Sequence, residues 1–230
     1  MWVCGGAFRA STPARNIPGL VEYAKQGYVV ASVRYRINDD AGFPAQVQDV
    51  KVAIRFLRHH HERYGIDPEK VVIAGHSAGA YLAAMVAVTE GVELFETEEW
   101  SDVSSSVKGA VCMAGGDLFL FDRKQEEYSG FLRSLEEFLK FSLEGNEELI
   151  KKASLTQYLS EDTPPILLIH GVKDAMVPIE TNKKFYEELI NAEVKIDFYE
   201  IEGAGHGTIE LWQPEIQKLM LDFFNYAIEE

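Results

Sequence analysis

Six short runs in this chain are largely apolar at consecutive positions, and helical patterns lie between most of them. That alternation constrains the fold more than any other feature. The runs are Trp2–Cys4, Tyr28–Val33, Lys70–Ala74, Val107–Met113, Pro165–His170 and Val194–Glu200. Each is β-branched or aromatic in flavour, as strands buried on both faces of a parallel sheet are. The clearest helix spans Pro44 to Tyr64. There Val47, Val50, Ile54, Leu57 and Tyr64 recur at helical spacing, and Gly65 ends the pattern. Residues 78–88, 179–191 and 213–228 read as further helices. Strands alternating with helices imply an α/β fold: a doubly wound parallel sheet of about six strands, with right-handed crossovers and helices on both faces. From Leu118 to Asp162 no strand is predicted. Ser129–Leu143 and Glu147–Ala153 look helical instead, so 118–162 is expected to be a helical insertion within a single domain, 1–230.

One motif stands at a mechanically meaningful place in this alternation. Gly75-His76-Ser77-Ala78-Gly79 joins the third strand to an Ala-rich helix. A serine on so sharp a turn is strained and exposed above the sheet, and its neighbours two residues away must be small. The helix N-terminus beside it favours developing negative charge. Two further signals follow later strands. Ile169-His170-Gly171-Val172-Lys173-Asp174 ends in an acid just past the fifth strand. Glu202-Gly203-Ala204-Gly205-His206-Gly207 presents a histidine from a glycine-rich loop after the last. The order Ser77, Asp174, His206 is that of a nucleophile, its supporting acid and its base in such a sheet. Asp117 and Asp122, after the fourth strand, are rivals for the acid role, with Asp117 ahead. Cys4-Gly5-Gly6-Ala7-Phe8 follows the first strand. Its small residues would let the N–H groups of Gly6 and Ala7, with that of Ala78, form an oxyanion hole. The chemistry expected is acyl transfer through Ser77, with no cofactor and no metal.

Composition narrows the partners. The chain carries 22 basic and 37 acidic residues, a formal charge of −15, which repels phosphate backbones and anionic lipid. The expected partner is a small-molecule ester, not nucleic acid or a membrane. No stretch approaches the length of a membrane span, and no signal peptide is visible. Cys4 and Cys112, the only cysteines, both lie in apolar strand-like runs, which argues against a disulfide framework and for a reducing, cytoplasmic setting. His59-His60-His61 occupy consecutive helix positions and fan apart, so they suggest a solvated helix end. The acidic run Glu90–Asp102 reads as a solvated loop.

With these residues in hand, the chain resembles the α/β-hydrolase family of bacterial carboxylesterases, most of all the branch of feruloyl and acetylxylan esterase-like and kynurenine formamidase-like enzymes. The resemblance rests on Cys4–Phe8, Ser32–Arg36, Phe43–Val50, Gly75–Gly79, Pro164–Asp174 and Gly203–His206. It implies Ser77, Asp174 and His206 as a catalytic triad, backbone donors at Gly6, Ala7 and Ala78, and strand order 2-1-3-4-5-6. The expected activity is that of a serine carboxylic-ester hydrolase on short-acyl or aryl esters. An amidase or formamidase of the same fold, and a catalytically silent binding module, are the alternatives. Two departures matter. Cys4 and Ala7 replace the His and last Gly of the usual His-Gly-Gly-Gly, and the strands that normally precede this loop do not appear in the sequence, so either the sheet is small or upstream residues are missing. The second strand would then be a sheet edge. Either a second copy covers it in an isologous homodimer, or the chain is a truncated monomer whose bare edge inclines it to aggregate.

Overall fold

The computed structural model describes residues 1–124 and 126–229. Six parallel strands form one sheet in the order β2-β1-β3-β4-β5-β6. They are β1 (Trp2–Val3), β2 (Ser32–Val33), β3 (Ile73–His76), β4 (Ala110–Met113), β5 (Ile166–Gly171) and β6 (Ile196–Ile201). Eight α-helices accompany them among the described residues: α1 (Ile17–Lys25), α2 (Ala45–His59), α3 (His61–Tyr64), α4 (Ala78–Val88), α5 (Ser129–Leu139), α6 (Glu147–Ala153), α7 (Ile179–Asn191) and α8 (Pro214–Glu229).

The period of two along each strand sends side chains to two separate cores. On one face Val3, Ile73, Cys112 and Leu168 join residues of α2, α4 and α7. On the other, Trp2, Ala74, Val111, Met113, Leu167 and Ile169 meet Leu20 and Tyr23 of α1 and Met220 and Phe224 of α8. Continuously apolar strands are what such a two-faced burial requires. Every residue of α4 is buried, which makes it the central helix of its layer. No helix among the described residues is long and apolar enough to cross a membrane.

Several local expectations are corrected. The helix expected over Pro44–Tyr64 breaks at His60 into α2 and α3. The helix expected to reach Leu143 stops at Leu139, because Lys140 turns into the left-handed region at φ +66°. Helix α1 has no counterpart in the sequence reading. The strand expected over Tyr28–Val33 shrinks to Ser32–Val33, because its partner β1 offers only Trp2 and Val3 for pairing. Residues 28–31 lie outside the sheet and leave Val29 50% exposed. The pairing of β2 is therefore confined to two residues in this structure. The acidic run is not simply solvated. Phe95 is fully buried, and Glu96 accepts from Lys51 Nζ and, at 3.0 Å, from Arg55 Nη1, both on α2 and both buried. A buried lysine needs such a partner to remain charged, and burial pulls the Lys51 pKa down even so. His59 and His60 pack around Trp100 at ring distances of 4.5 and 5.0 Å.

Candidate active site

The turn between β3 and α4 sets the geometry of the site. Ser77 sits at φ 56°, ψ −127°, a backbone state that costs a non-glycine residue about 1–3 kcal/mol. Close packing over-determines it. The Ser77 N–H donates to the Met113 carbonyl at 2.8 Å, tying the turn to β4, while the Ser77 carbonyl accepts from the N–H groups of Ala80 and Tyr81 as α4 begins. A Cβ on Gly75 would stand 2.2 Å from the Gly79 carbonyl oxygen, so the turn closes only with small residues at its two ends.

His206 reaches Ser77 from the loop after β6. Its Nε2 lies 2.8 Å from Ser77 Oγ, and its Nδ1 lies 2.7 Å from Asp174 Oδ2. The loop stands against the end of β5 so closely that a Cβ on Gly171 would fall 2.5 Å from the Ala204 carbonyl oxygen. The Lys173 N–H donates to that same carbonyl at 2.8 Å. With Asp174 accepting at Nδ1–H, the remaining ring nitrogen is the one that can take a proton from Ser77.

Asp174 is saturated with donors. Its side chain is fully enclosed. Oδ1 accepts from the N–H groups of Met176 and Val177 at 2.8 and 2.9 Å. Oδ2 accepts from His206 and, at 3.1 Å, from His170 Nε2. Burial alone would push this carboxyl up. The bonds from His170 and His206, the attraction of His206 and the Val177 N–H outweigh it, and hold the group well below the usual carboxylate range. His170 is itself buried, and its Nδ1 has no partner among the described residues, so Nε2 is the ring nitrogen that donates to Asp174.

The rival acids are engaged elsewhere. Asp117 is buried and accepts from Ser154 Oγ at 2.5 Å, the Thr156 N–H at 3.2 Å and the Phe119 N–H at 3.1 Å. It anchors the start of a short 3-10 turn, and burial raises its pKa despite those bonds. Asp122 accepts from the Lys124 N–H at 3.0 Å in an exposed turn.

Opposite the turn that carries Ser77, the loop after β1 turns sharply. Ala7 and Phe8 both take left-handed angles, φ +51° and +58°, and the N–H groups of Arg9 and Ala10 fold back onto the Gly6 carbonyl. Ala7 thus occupies a conformation that glycine would adopt without strain. Tyr35 Oη donates to the Cys4 carbonyl at 2.9 Å, bracing the loop from the segment after β2. The Cys4 side chain is buried, 3.7 Å from Ser11 Oγ. Ala7, Ala78, Ser77 and His206 line one cavity of about 320 Å³, and Gly6 lies outside its lining. The Ala78 N–H, in the first turn of α4, has no acceptor within its own helix. The rest of the wall is mostly apolar: Leu118, Tyr128, Phe131 and Leu135 from the segment between β4 and β5, with Met176 and Val177 beside Asp174.

The sequence reading missed two supporting histidines and Tyr35. His76 and His170 each sit within a motif already singled out, but nothing local shows what their rings touch. An enclosed serine–imidazole–carboxylate chain beside a helix N-terminus can activate a hydroxyl for attack on a carbonyl.

A six-stranded parallel sheet carrying this site at the ends of β3, β5 and β6 is the α/β-hydrolase fold. The comparisons narrow the class. Residues 1–189 match the BD-FAE family model, and the chain belongs to the BD-FAE family. Over 212 residues it is 31% identical to the esterase LipC of Mycobacterium tuberculosis, covering 90% of this chain and 52% of LipC. The chain spans about half the length of the curated relatives it matches. Among solved structures, a truncated carbohydrate esterase from gut microbiota superimposes with a TM-score of 0.85 at 26% identity, covering 100% of this chain and 85% of that one. The thermophilic esterase Est2 of Thermogutta terrifontis, with propionate bound, does so at 0.78 and 28%, covering 98% and 81%. Est2 phosphonylated by sarin gives 0.81 and 27%, covering 98% and 82%.

Proposed function

We propose that this chain hydrolyses carboxylic esters of short acyl groups through an acyl-enzyme on Ser77. The observation that carries the reading is the continuous chain from Ser77 Oγ through His206 to Asp174, at 2.8 and 2.7 Å, opening on an apolar cavity. His206 Nε2 takes the Ser77 proton as Oγ bonds to the ester carbonyl carbon. The N–H groups of Ala7 and Ala78, both in the cavity lining, stabilise the oxyanion. The carbon–alkoxide bond breaks, and His206 returns the proton to the departing alcohol. Water then gives a proton to His206 as its oxygen attacks the acyl carbon. The carboxylic acid leaves and Ser77 regains its proton. Asp174 holds the ring in the tautomer that both half-reactions need and stabilises its charged form. The esterase names of the relatives support the reaction class. A cytoplasmic setting is part of the same proposal, supported by two cysteines that are both buried and unpaired.

The cavity supports a preference for small acyl groups. A buried methylene contributes about 0.8 kcal/mol, but one that runs past the rim into water contributes nothing. With about 320 Å³ to share between acyl and alcohol parts, binding should stop improving after a few carbons. For aryl esters, kcat/KM is expected to peak at two to four acyl carbons and to be at least about tenfold lower at twelve. The charge of −15 should also disfavour anionic esters, by a margin that shrinks as salt rises. Faster turnover of the twelve-carbon ester would remove the preference. Failure of a fluorophosphonate probe to label Ser77 in the folded protein would remove the reaction class.

A further inference from the structure

The bond from His76 to the backbone of His206 has no role in the acyl-transfer steps, yet three segments of the site converge on its ring. His76 Nε2 lies 2.7 Å from the carbonyl oxygen of His206, 130 residues away in sequence, and the two rings stand 5.0 Å apart. Toward its Nδ1 the ring faces Gly5 of the loop after β1, where an added Cβ would stand 3.3 Å away. Toward Cε1 and Nε2 it faces Gly207, where an added Cβ would stand 3.3 and 3.5 Å away. The ring thus fills the junction between the oxyanion loop, the nucleophile turn and the histidine loop.

We propose that His76 is a positioning residue: its Nε2–H, held by the carbonyl of His206, fixes the peptide after His206 and so keeps that imidazole within reach of Ser77. This rests on the acyl-enzyme reading above. The need for such a brace follows from the loop. Gly205 and Gly207 flank His206, and glycine permits backbone states that other residues do not. The Lys173 N–H holds Ala204 and Asp174 holds the ring Nδ1. The peptide after His206, next to a glycine, still needs a bond of its own to keep the imidazole in register with Ser77, and an ångström of misplacement can cost about 10²-fold in rate. A neutral ring suits the role, because His206 becomes cationic during turnover and a second cation beside it would oppose that. Burial first, and the neighbouring His206 second, lower the His76 pKa to about 4.

The test compares His76→Leu, which fills the space without a donor, with His76→Gln, whose amide N–H stands near the position of Nε2. In protein shown to be folded by its thermal transition, His76→Leu is expected to lower kcat by about 10- to 100-fold with KM changed less than about twofold. The second-order rate of fluorophosphonate labelling should fall in parallel. His76→Gln is expected to return to within about threefold of wild type, because it restores the bond. Equal losses in the two variants, or a folded His76→Leu with wild-type kcat, overturn the proposal. If His76→Leu does not fold, Gly207→Ala decides. Its methyl presses on the His76 ring from an exposed position, so kcat should drop about three- to tenfold, and unchanged kcat overturns the idea. Wild-type protein that takes no label would instead sink the acyl-enzyme reading, leaving the two failures distinct.

Discussion

Ser77→Ala is expected to lower kcat for a two-carbon aryl ester by about 10⁴-fold or more, with the thermal midpoint within a few degrees of wild type. Only the hydroxyl is lost. The bonds that hold the turn are made by the backbone, through the Ser77 N–H to Met113 and the Ser77 carbonyl to Ala80 and Tyr81, and alanine keeps them all. Asp174→Asn should behave differently. Both carboxylate oxygens of Asp174 accept N–H donors, four in all. An amide has one acceptor end and one donor end. Whichever way it turns, an NH₂ faces either two backbone N–H groups or two imidazoles. Facing His206, it favours the tautomer with the proton on Nε2, which cannot accept from Ser77. A loss of about 10³- to 10⁴-fold in kcat is expected, together with about 1–3 kcal/mol of stability. The acid limb of the stability curve should also flatten. The Asp174 carboxyl lies below its unfolded value of about 3.9, so its contribution is full above that pH and fades as pH falls through the folded value. The variant has no such contribution to lose. Substantial esterase turnover in Ser77→Ala would end the assignment of that residue, and a fully stable Asp174→Asn would end the account of its four donors.

What could be read in the sequence was what short segments determine by themselves. A strand covered on both faces has to be apolar at successive positions, so the strands of the sheet were visible, and the turns and loops after β3, β5 and β6 could be seen to carry Ser77, Asp174 and His206. The short edge was not visible, because the length of β2 depends on β1 and not on the apolar run Tyr28–Val33. Helix α1 was hidden by its own composition. Pro18 and Gly19 stand in its first turn, and only Leu20 and Tyr23 are buried, which leaves little periodicity to detect. Proline there removes a donor that the helix start leaves unpaired anyway. The acidic run misled because its anchors are distant: Lys51 and Arg55 lie some forty residues before Glu96. The supporting histidines share that difficulty. His170 touches an acid four residues on, whereas His76 touches a carbonyl 130 residues on, and no pattern in one sequence announces such a bond.

The largest effect on stability is expected from a single methyl group. A Cβ on Gly79 would stand 2.1 Å from the Val3 carbonyl oxygen, 2.6 Å from the Val3 carbonyl carbon and 2.8 Å from that of Cys4. All three are backbone atoms at the end of β1, so no side chain can swing aside. Accommodating the methyl would push α4 off the sheet. Since α4 is buried along its whole length, a shift would open both the core beneath it and the turn that carries Ser77. Gly79→Ala is therefore expected to lose more than about 3 kcal/mol, or to give no soluble folded protein. In a chain of 230 residues, 3 kcal/mol corresponds to a fall of about 6–12 °C in Tm. The same chemical change at Gly130 should have the opposite sign. That glycine lies in the first turn of α5, is exposed, and would bring its Cβ within 4 Å of nothing. Alanine there removes unfolded-state freedom and raises helix propensity, for a gain of about 0.5–1 kcal/mol. Urea melts of the two variants beside wild type check both signs at once. A Gly79→Ala protein that unfolds at the wild-type midpoint would mean that α4 does not approach β1 as closely as the contact at Val3 requires.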